Sequence, residues 1–193
     1  MKQIEVTTYV NHSLKEIDKI LTKQGFKIIR SSRVEDKYLT SSSNKLTNNN
    51  ILDVLSKCIL IRYLCVNEKE VFKKITYKNK IYEGDNIISE EKISINIDNI
   101  DKAEKLFNNI QFQKIVDVNY DVIVYEKDNL EFAFQDVEGL GILLEYEHKS
   151  DFESYTNEEI LLEKQKMLDQ IKKYNLNISD EYDVKKAFEL IKK

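Results

Sequence analysis

Asp136–Lys149 reads DVEGLGILLEYEHK. Gly139 and Gly141 mark a turn, and the apolar run behind them predicts a strand. Glu145 and Glu147 flank Tyr146 in that strand. Strand side chains alternate, so both carboxylates share one face, roughly 7 Å apart. Charges on one face of an antiparallel strand are ordinary where that face meets water. Here they recur in other apolar strands, and with mixed sign. Arg62 interrupts Lys57–Val66 (KCILIRYLCV), Lys74 and Lys78 share one face of Val71–Lys78 (VFKKITYK), and Glu5 lies between Ile4 and Val6.

Working outward, strands dominate. Gln3–Val10 is rich in β-branched residues and reads as the first. Ser13, with Glu16 three residues on, is a capping box that opens a helix over Leu14, Ile17, Ile20 and Leu21, and Gly25 stops it. Phe26–Ser32 and Val34–Thr40 read as two arms of a bent or paired strand region. Ser41–Asn50 (SSSNKLTNNN) reads as a loop. Asn67–Glu70 suits a hairpin turn, and Ser89–Ile97 alternates as a further strand. Asp98 or Asn99 caps a short helix with Ala103, Leu106 and Phe107 on its apolar side. Lys114–Glu126 and Leu130–Asp136 predict a hairpin around Lys127–Asn129. A helix from Thr156 or Asn157 to about Lys173 turns Ile160, Leu161, Met167, Leu168 and Ile171 inward. Ser179 precedes a last helix carrying Val184, Ala187, Phe188 and Ile191. The two halves echo each other as strand, helix and paired strands. Together they predict an α+β protein with one antiparallel sheet of about eight strands. Such a sheet stays open with helices on one face, or closes into a barrel.

The 193 residues suit one globular domain, 1–193, with 150–193 as a C-terminal helical extension. Hydrophobic residues make up 41% and charged residues 33%, which excludes a disordered chain; 4 Gly and 0 Pro exclude a collagen-like one. No run of about 18 apolar residues predicts a membrane span, and MKQIEVTTYV lacks the apolar core of a signal peptide. A net charge of −4 argues against nucleic acid or anionic lipid as partners. Eleven Tyr residues come without a basic stripe and read as packing. Cys58 and Cys65 lie on opposite faces of one strand and read as reduced thiols in a cytoplasmic protein. Two distant histidines, His12 and His148, make neither a zinc site nor a nucleophile triad, and no Gly-rich phosphate loop exists. Carboxylates and bases gathered on one sheet face suit a divalent cation and a polyphosphate.

The run Gly139–Glu147 with its Asp136-Val137 lead resembles the C-terminal signature of CYTH proteins, an L-G-x-F-x-E-x-E pattern behind a D-x-V turn. Further matches follow in chain order. Glu5 resembles the first Glu of an N-terminal E-x-E-x-K, Asp36-Lys37-Tyr38 a D-x-Y, Ile59–Arg62 an L-R-I-R strand, and Ile75–Lys78 an L-T-Y-K strand. The resemblance covers roughly Lys2 to Lys149. The family includes class IV adenylyl cyclases, thiamine triphosphatases and inorganic triphosphatases, built on an antiparallel triphosphate tunnel.

What the resemblance implies is a closed or nearly closed antiparallel β-barrel with helices packed outside. Glu5, Glu145 and Glu147 would hold Mg²⁺ or Mn²⁺, and Arg62, Lys74 and Lys78 would bind phosphates. The ligand would be a small-molecule triphosphate or nucleotide. The activity would be that of a metal-dependent phosphohydrolase or a class IV adenylyl cyclase, with no catalytic residue assigned. A homodimer stays open. Departures from the pattern support a second reading, a degenerate tunnel that binds a ligand or partner without phosphoryl transfer. The family's second Glu is Thr7 and its Lys is Tyr9. The first Arg of L-R-I-R is Leu60, K-x-R is Asp117-Val118-Asn119, and the turn's leading Asp is Gln135. The middle R-x-E reads Ser89-Glu90-Glu91, or Glu90-Glu91-Lys92 one register on. Asp117, if it faces the phosphates, would repel them.

Overall fold

The computed structural model describes residues 4–83, 86–148 and 154–193. Gln3 and Lys149, expected at two strand ends, lie outside the described residues, as does the side chain of Ser89. The elements run β1 (Ile4–Tyr9), α1 (Leu14–Lys23), β2 (Lys27–Ser41), α2 (Ile51–Ser56), β3 (Lys57–Val66), β4 (Glu70–Glu83), β5 (Asn86–Asn96), α3 (Ile100–Asn109), β6 (Phe112–Lys127), β7 (Leu130–Val137), β8 (Gly141–His148), α4 (Asn157–Lys172) and α5 (Lys186–Lys192).

Eight strands hydrogen-bond in the order β1-β8-β7-β6-β2-β3-β4-β5. The α+β class and the strand number are as the sequence predicts; closure is not. Among the described residues β1 and β5 end the ladder, so the expected barrel is an open sheet. The reason lies at β1, whose outer backbone groups are already bonded by the chain's own tail. Thr7 N–H donates to the Tyr182 carbonyl at 2.9 Å, Val184 N–H to the Thr7 carbonyl at 2.9 Å, and Ser179 N–H to the Tyr9 carbonyl at 3.0 Å. An edge satisfied in this way has no row of free donors and acceptors left for another strand. The same use of the tail shortens the last helix. Ser179–Val184 lies against β1, and helix begins only at Lys186.

The chain divides into two compact units, Met1–Ser31 with Asp121–Val184, and Ser32–Tyr120 with Lys185–Lys193. The expected C-terminal extension is therefore shared between them.

In the first unit the capping box forms as read: Glu16 N–H donates to Ser13 Oγ at 3.3 Å and Ser13 N–H to Glu16 Oε2 at 2.8 Å. Ile17 and Leu21 are fully buried, and Gly25 closes the helix at φ +90°, where a side chain would be strained. Asp128 and Asn129 take φ of 51° and 66° and join β6 to β7 in a tight turn of the kind that matches strand twist. Phe132 at the centre meets Phe26, Tyr146 and Tyr174 at ring distances of 5.5, 5.3 and 5.6 Å. Helix α4 adds Ile160, Met167, Leu168 and Ile171 to this core, and with them a buried lysine, Lys164.

In the second unit β2, β3, β4 and β5 pair antiparallel in sequence. β2 is one continuous strand of 15 residues rather than two arms. Asn67 and Glu68, at φ 49° and 59°, make the β3–β4 turn. The odd-numbered face of the sheet is apolar: Leu39 and Ile61 pack on Ala103 of α3, with Ile59, Ile75, Phe107 and Phe112 around them. Leu106, expected inward, is 57% exposed. The Ser41–Asn50 loop is tied by Thr47 N–H to Asn50 Oδ1 at 2.7 Å and leads into α2, a short helix that the sequence reading omits. Among the described residues no helix is long and apolar enough to cross a membrane.

Candidate functional site

The even-numbered face of the second unit is polar, and strand register puts its charges in rows. Asp36 lies across from Arg62, Arg62 from Lys74, and Lys74 from Asn96. Cys58 lies across from Lys78, Lys78 from Lys92, and Lys80 from Glu90. Between these rows Thr76 and Ser94 share a hydroxyl hydrogen bond of 2.8 Å. Arg62, Lys74 and Lys78, the bases expected to bind phosphate, are therefore brought to one face. Lys80 and Lys92 join them, giving five bases against the two carboxylates Asp36 and Glu90.

The bases are not equivalent. Asp36, 1% exposed, accepts Arg62 Nε at 2.6 Å and Arg62 Nη2 at 2.5 Å. This two-pronged pair fixes the guanidinium plane. Burial disfavours the Arg62 charge, but the Asp36 hydrogen bonds outweigh it and hold the pKa above its ordinary value. The same Nη2 donates to Tyr120 Oη at 3.3 Å, and Lys186 of α5 lies 4.5 Å from the centre of the Tyr120 ring. Lys78, Lys80 and Lys92 gather on Glu90, with N–O distances of 3.5, 3.6 and 2.5 Å. Lys74 makes no hydrogen bond or ion pair among the described residues. Burial and the neighbouring Arg62 and Lys78 charges push its pKa down, against a smaller pull upward from Asp36.

An anion on this face would reverse that depression. The unfolded chain binds more protons at Lys74 than the folded one just below the ordinary lysine value of 10.5, so stability from this group rises with pH there. Binding an anion should draw a proton back. Calorimetry of tripolyphosphate binding in two buffers of different ionisation enthalpy, just below that pH, should show net proton uptake. Lys74→Met should remove it; equal heats in both buffers for wild type would place the anion away from Lys74.

The first unit carries the carboxylates. Glu5 lies directly across from Glu147, and Thr7 from Glu145, so Glu5, Glu145 and Glu147 share one face of the β1–β8 pair. Directly opposed residues in such a pair have Cβ atoms roughly 5 Å apart. Gln135 Nε2 donates to Glu145 Oε2 at 2.9 Å. Among the described residues no three acidic, His or Cys groups converge as a metal-ligand set. The donors are nonetheless all hard carboxylate oxygens. They fit the Mg²⁺ mode, in which one or two carboxylates bind and water or phosphate oxygens complete the shell.

No family profile matches the chain. A protein of Methanocaldococcus jannaschii described as "Putative adenylate cyclase MJ0240" is 24% identical over 188 residues, covering 97% of both chains. The PH1819 protein of Pyrococcus horikoshii superposes with a TM-score of 0.73 at 20% identity, covering 98% of this chain and 97% of that one. The Hippeastrum "Putative adenylyl cyclase HpAC1", described as having a dominant triphosphatase activity, superposes with a TM-score of 0.63 at 11% identity, over 100% and 95%. The chain shares the fold of these proteins, the CYTH-type fold that its motifs resemble.

Several CYTH positions are altered without harm to the base-lined face. Asp117 is exposed and bound to Lys114 at 2.6 Å. Val118 and Tyr120, buried on the alternate side, include the residue that touches Arg62, so strand alternation turns Asp117 and Asn119 away from the bases. The expectation that Asp117 might repel phosphate there falls on parity. Leu60 does face the bases, 1% exposed, and packs where the family has Arg. Lys80 lies two residues beyond the motif-matched Lys78, outside the quoted pattern. Simple alternation, Lys74-Thr76-Lys78-Lys80, could have found it.

Proposed function

We propose that this chain is a divergent CYTH protein and that it binds a triphosphate, free or as part of a nucleotide, on the bases of β3, β4 and β5. The observation that carries the reading is Lys74, which faces Arg62 across the strand pair, has no ion-pair partner among the described residues, and has its charge disfavoured by burial and then by the Arg62 and Lys78 charges. Like charges pressed together cost stability in the free protein, and that cost is recovered when an anion binds. Lys74, Lys78, Lys80 and Lys92 bind phosphate oxygens. Arg62, clamped by Asp36, presents a fixed charge beside them. We further propose that Mg²⁺ or Mn²⁺ binds at Glu5, Glu145 and Glu147, with one or two of these carboxylates bound directly and water completing the shell. Such an ion, when bound, would act as a Lewis acid. The chemistry is then phosphoryl transfer to water, as a triphosphatase, or ring closure of a nucleotide, as an adenylyl cyclase. In either case positioning and electrostatics supply the rate.

A second reading, binding without turnover, is favoured by one feature: Arg62 is already held by Asp36, and three lysines by Glu90. One assay separates them. Protein is incubated with ATP, tripolyphosphate or thiamine triphosphate plus Mg²⁺ or Mn²⁺, reading phosphate and cyclic nucleotide together, alongside calorimetric binding. Product identifies the enzyme; binding without product supports the second reading; no binding overturns both.

The metal assignment has its own check. Mn²⁺ or Mg²⁺ alone should raise the melting temperature, because a ligand of the native state stabilises it by mass action. Glu145→Gln with Glu147→Gln should remove the rise. A full shift in the double variant would put the ion elsewhere.

A further inference from the structure

Among the described residues Glu90 is the carboxylate set among Lys78, Lys80 and Lys92. Its Oε2 binds Lys92 at 2.5 Å, while Oε1 is buried and has no hydrogen-bond partner among the described residues. The Lys78 and Lys80 ammoniums stand 3.5 and 3.6 Å from that oxygen, attracted but beyond good hydrogen-bond range. The Glu90 side chain is 14% exposed, as is that of Lys78, so the attraction is poorly screened by solvent. An ordinary buried ion pair satisfies its oxygens. Here one oxygen lacks a hydrogen bond among the described residues although two ammoniums stand within 3.6 Å of it. Lys74 lies next along the same strand face, and burial with the Arg62 and Lys78 charges keeps its own charge disfavoured.

We propose that Glu90 is a resident anion, a built-in competitor that occupies the phosphate-binding lysines when no ligand is bound. The inference rests on the polyphosphate reading of this face and adds a control to it. In the free protein the Glu90 carboxylate offsets repulsion among Lys78, Lys80 and Lys92. A phosphate group brings more charge and more acceptor oxygens than one carboxylate. It takes Lys78 and Lys80 and leaves Glu90 with Lys92. Glu90 thereby sets the affinity threshold: it repels every anion that enters, and a ligand binds only by offering the lysines more than Glu90 does. No bond is made or broken.

The test is calorimetric titration of metal-free wild type and Glu90→Gln with tripolyphosphate, paired with ligand-free thermal melts. The variant should bind at least tenfold tighter, yet melt lower without ligand, because the lysines lose their internal counter-charge. A role in positioning the lysines would move both quantities the same way, with weaker binding and a lower melting temperature. If wild type binds and Glu90→Gln binds no tighter, the competitor assignment is wrong and the phosphate site stands. If neither protein binds tripolyphosphate, the phosphate site itself is wrong and the competitor falls with it. Glu90→Asp keeps the charge but withdraws it by one methylene, and covers the case in which Glu90→Gln does not fold. Its affinity should lie above wild type; equal or lower affinity overturns the inference.

Discussion

Lys78→Glu is expected to weaken tripolyphosphate binding by a thousandfold or more. Lys78 is central on the base-lined face: Lys74 and Lys80 flank it along β4, Lys92 lies across from it, and its side chain is only 14% exposed. Losing one charge-assisted hydrogen bond costs about 1.5–3 kcal/mol. Placing a carboxylate beside a phosphate adds roughly 4 kcal/mol at 4 Å and an effective dielectric near 20. Together these come to about 5.5–7 kcal/mol, above the roughly 4 kcal/mol that a thousandfold change requires. Lys78→Met, which removes charge without reversing it, should cost about ten- to a hundredfold. Calorimetry reads both, with circular dichroism to show that the sheet is intact. Affinity within threefold of wild type for Lys78→Glu would move the ligand off this face.

The largest stability effect should come from Lys164→Ala. Lys164 Nζ bonds both oxygens of Asp183, at 2.6 and 2.9 Å, with side chains 4% and 10% exposed. Removing one partner of a buried pair leaves the other charge uncompensated, at a cost of about 3–5 kcal/mol. For a chain of this size that lowers the melting temperature by roughly 10 °C, at about 2–4 °C per kcal/mol. Asp183 neighbours Tyr182 and Val184, which bond β1, so the damage should spread to that edge. Hydrogen exchange at Thr7 and Val184 should quicken in the variant. Lys164→Met with Asp183→Leu removes both charges and should recover part of the loss. A single variant that melts within 2 °C of wild type would mean the pair is not buried in solution.

Much of this arrangement was legible in the residues. Period-two alternation placed Lys74 with Lys78 and Glu145 with Glu147 on common faces, because alternation is a property of one strand. Pairing is a property of two, so the Glu5–Glu147 and Arg62–Asp36 oppositions came only with the register. Sheet closure failed as an expectation for the same kind of reason. The spacing of Val184, Ala187, Phe188 and Ile191 reads as helix from just after Ser179, but the backbone of Ser179–Val184 is bonded across 170 residues or more to β1, and tertiary pairing overrides local preference. Lys164 lies outside the apolar stripe of its helix, where a charged residue reads as solvated. Nothing near it in sequence signals burial, since its partner Asp183 comes from the segment beyond its helix. Asp117 was weighed as a threat because motif alignment gave its position without its direction.

The same tail has a consequence for how the protein is made. β1 leaves the ribosome before the other seven strands, yet its ladder partner β8 and its covering segment are synthesised after the rest of the sheet. At about 5–20 residues per second, Glu5 waits roughly 7–30 s for Glu147 to be translated. During that interval β1 has neither of its neighbours, whereas the hairpins of the second unit can close as they emerge. The hairpins of the second unit are thus formed before β1 is covered. A ribosome stalled before residue 141 holds a chain with its base-lined strands paired and an unprotected N-terminal strand, the form on which a chaperone or a protease would act.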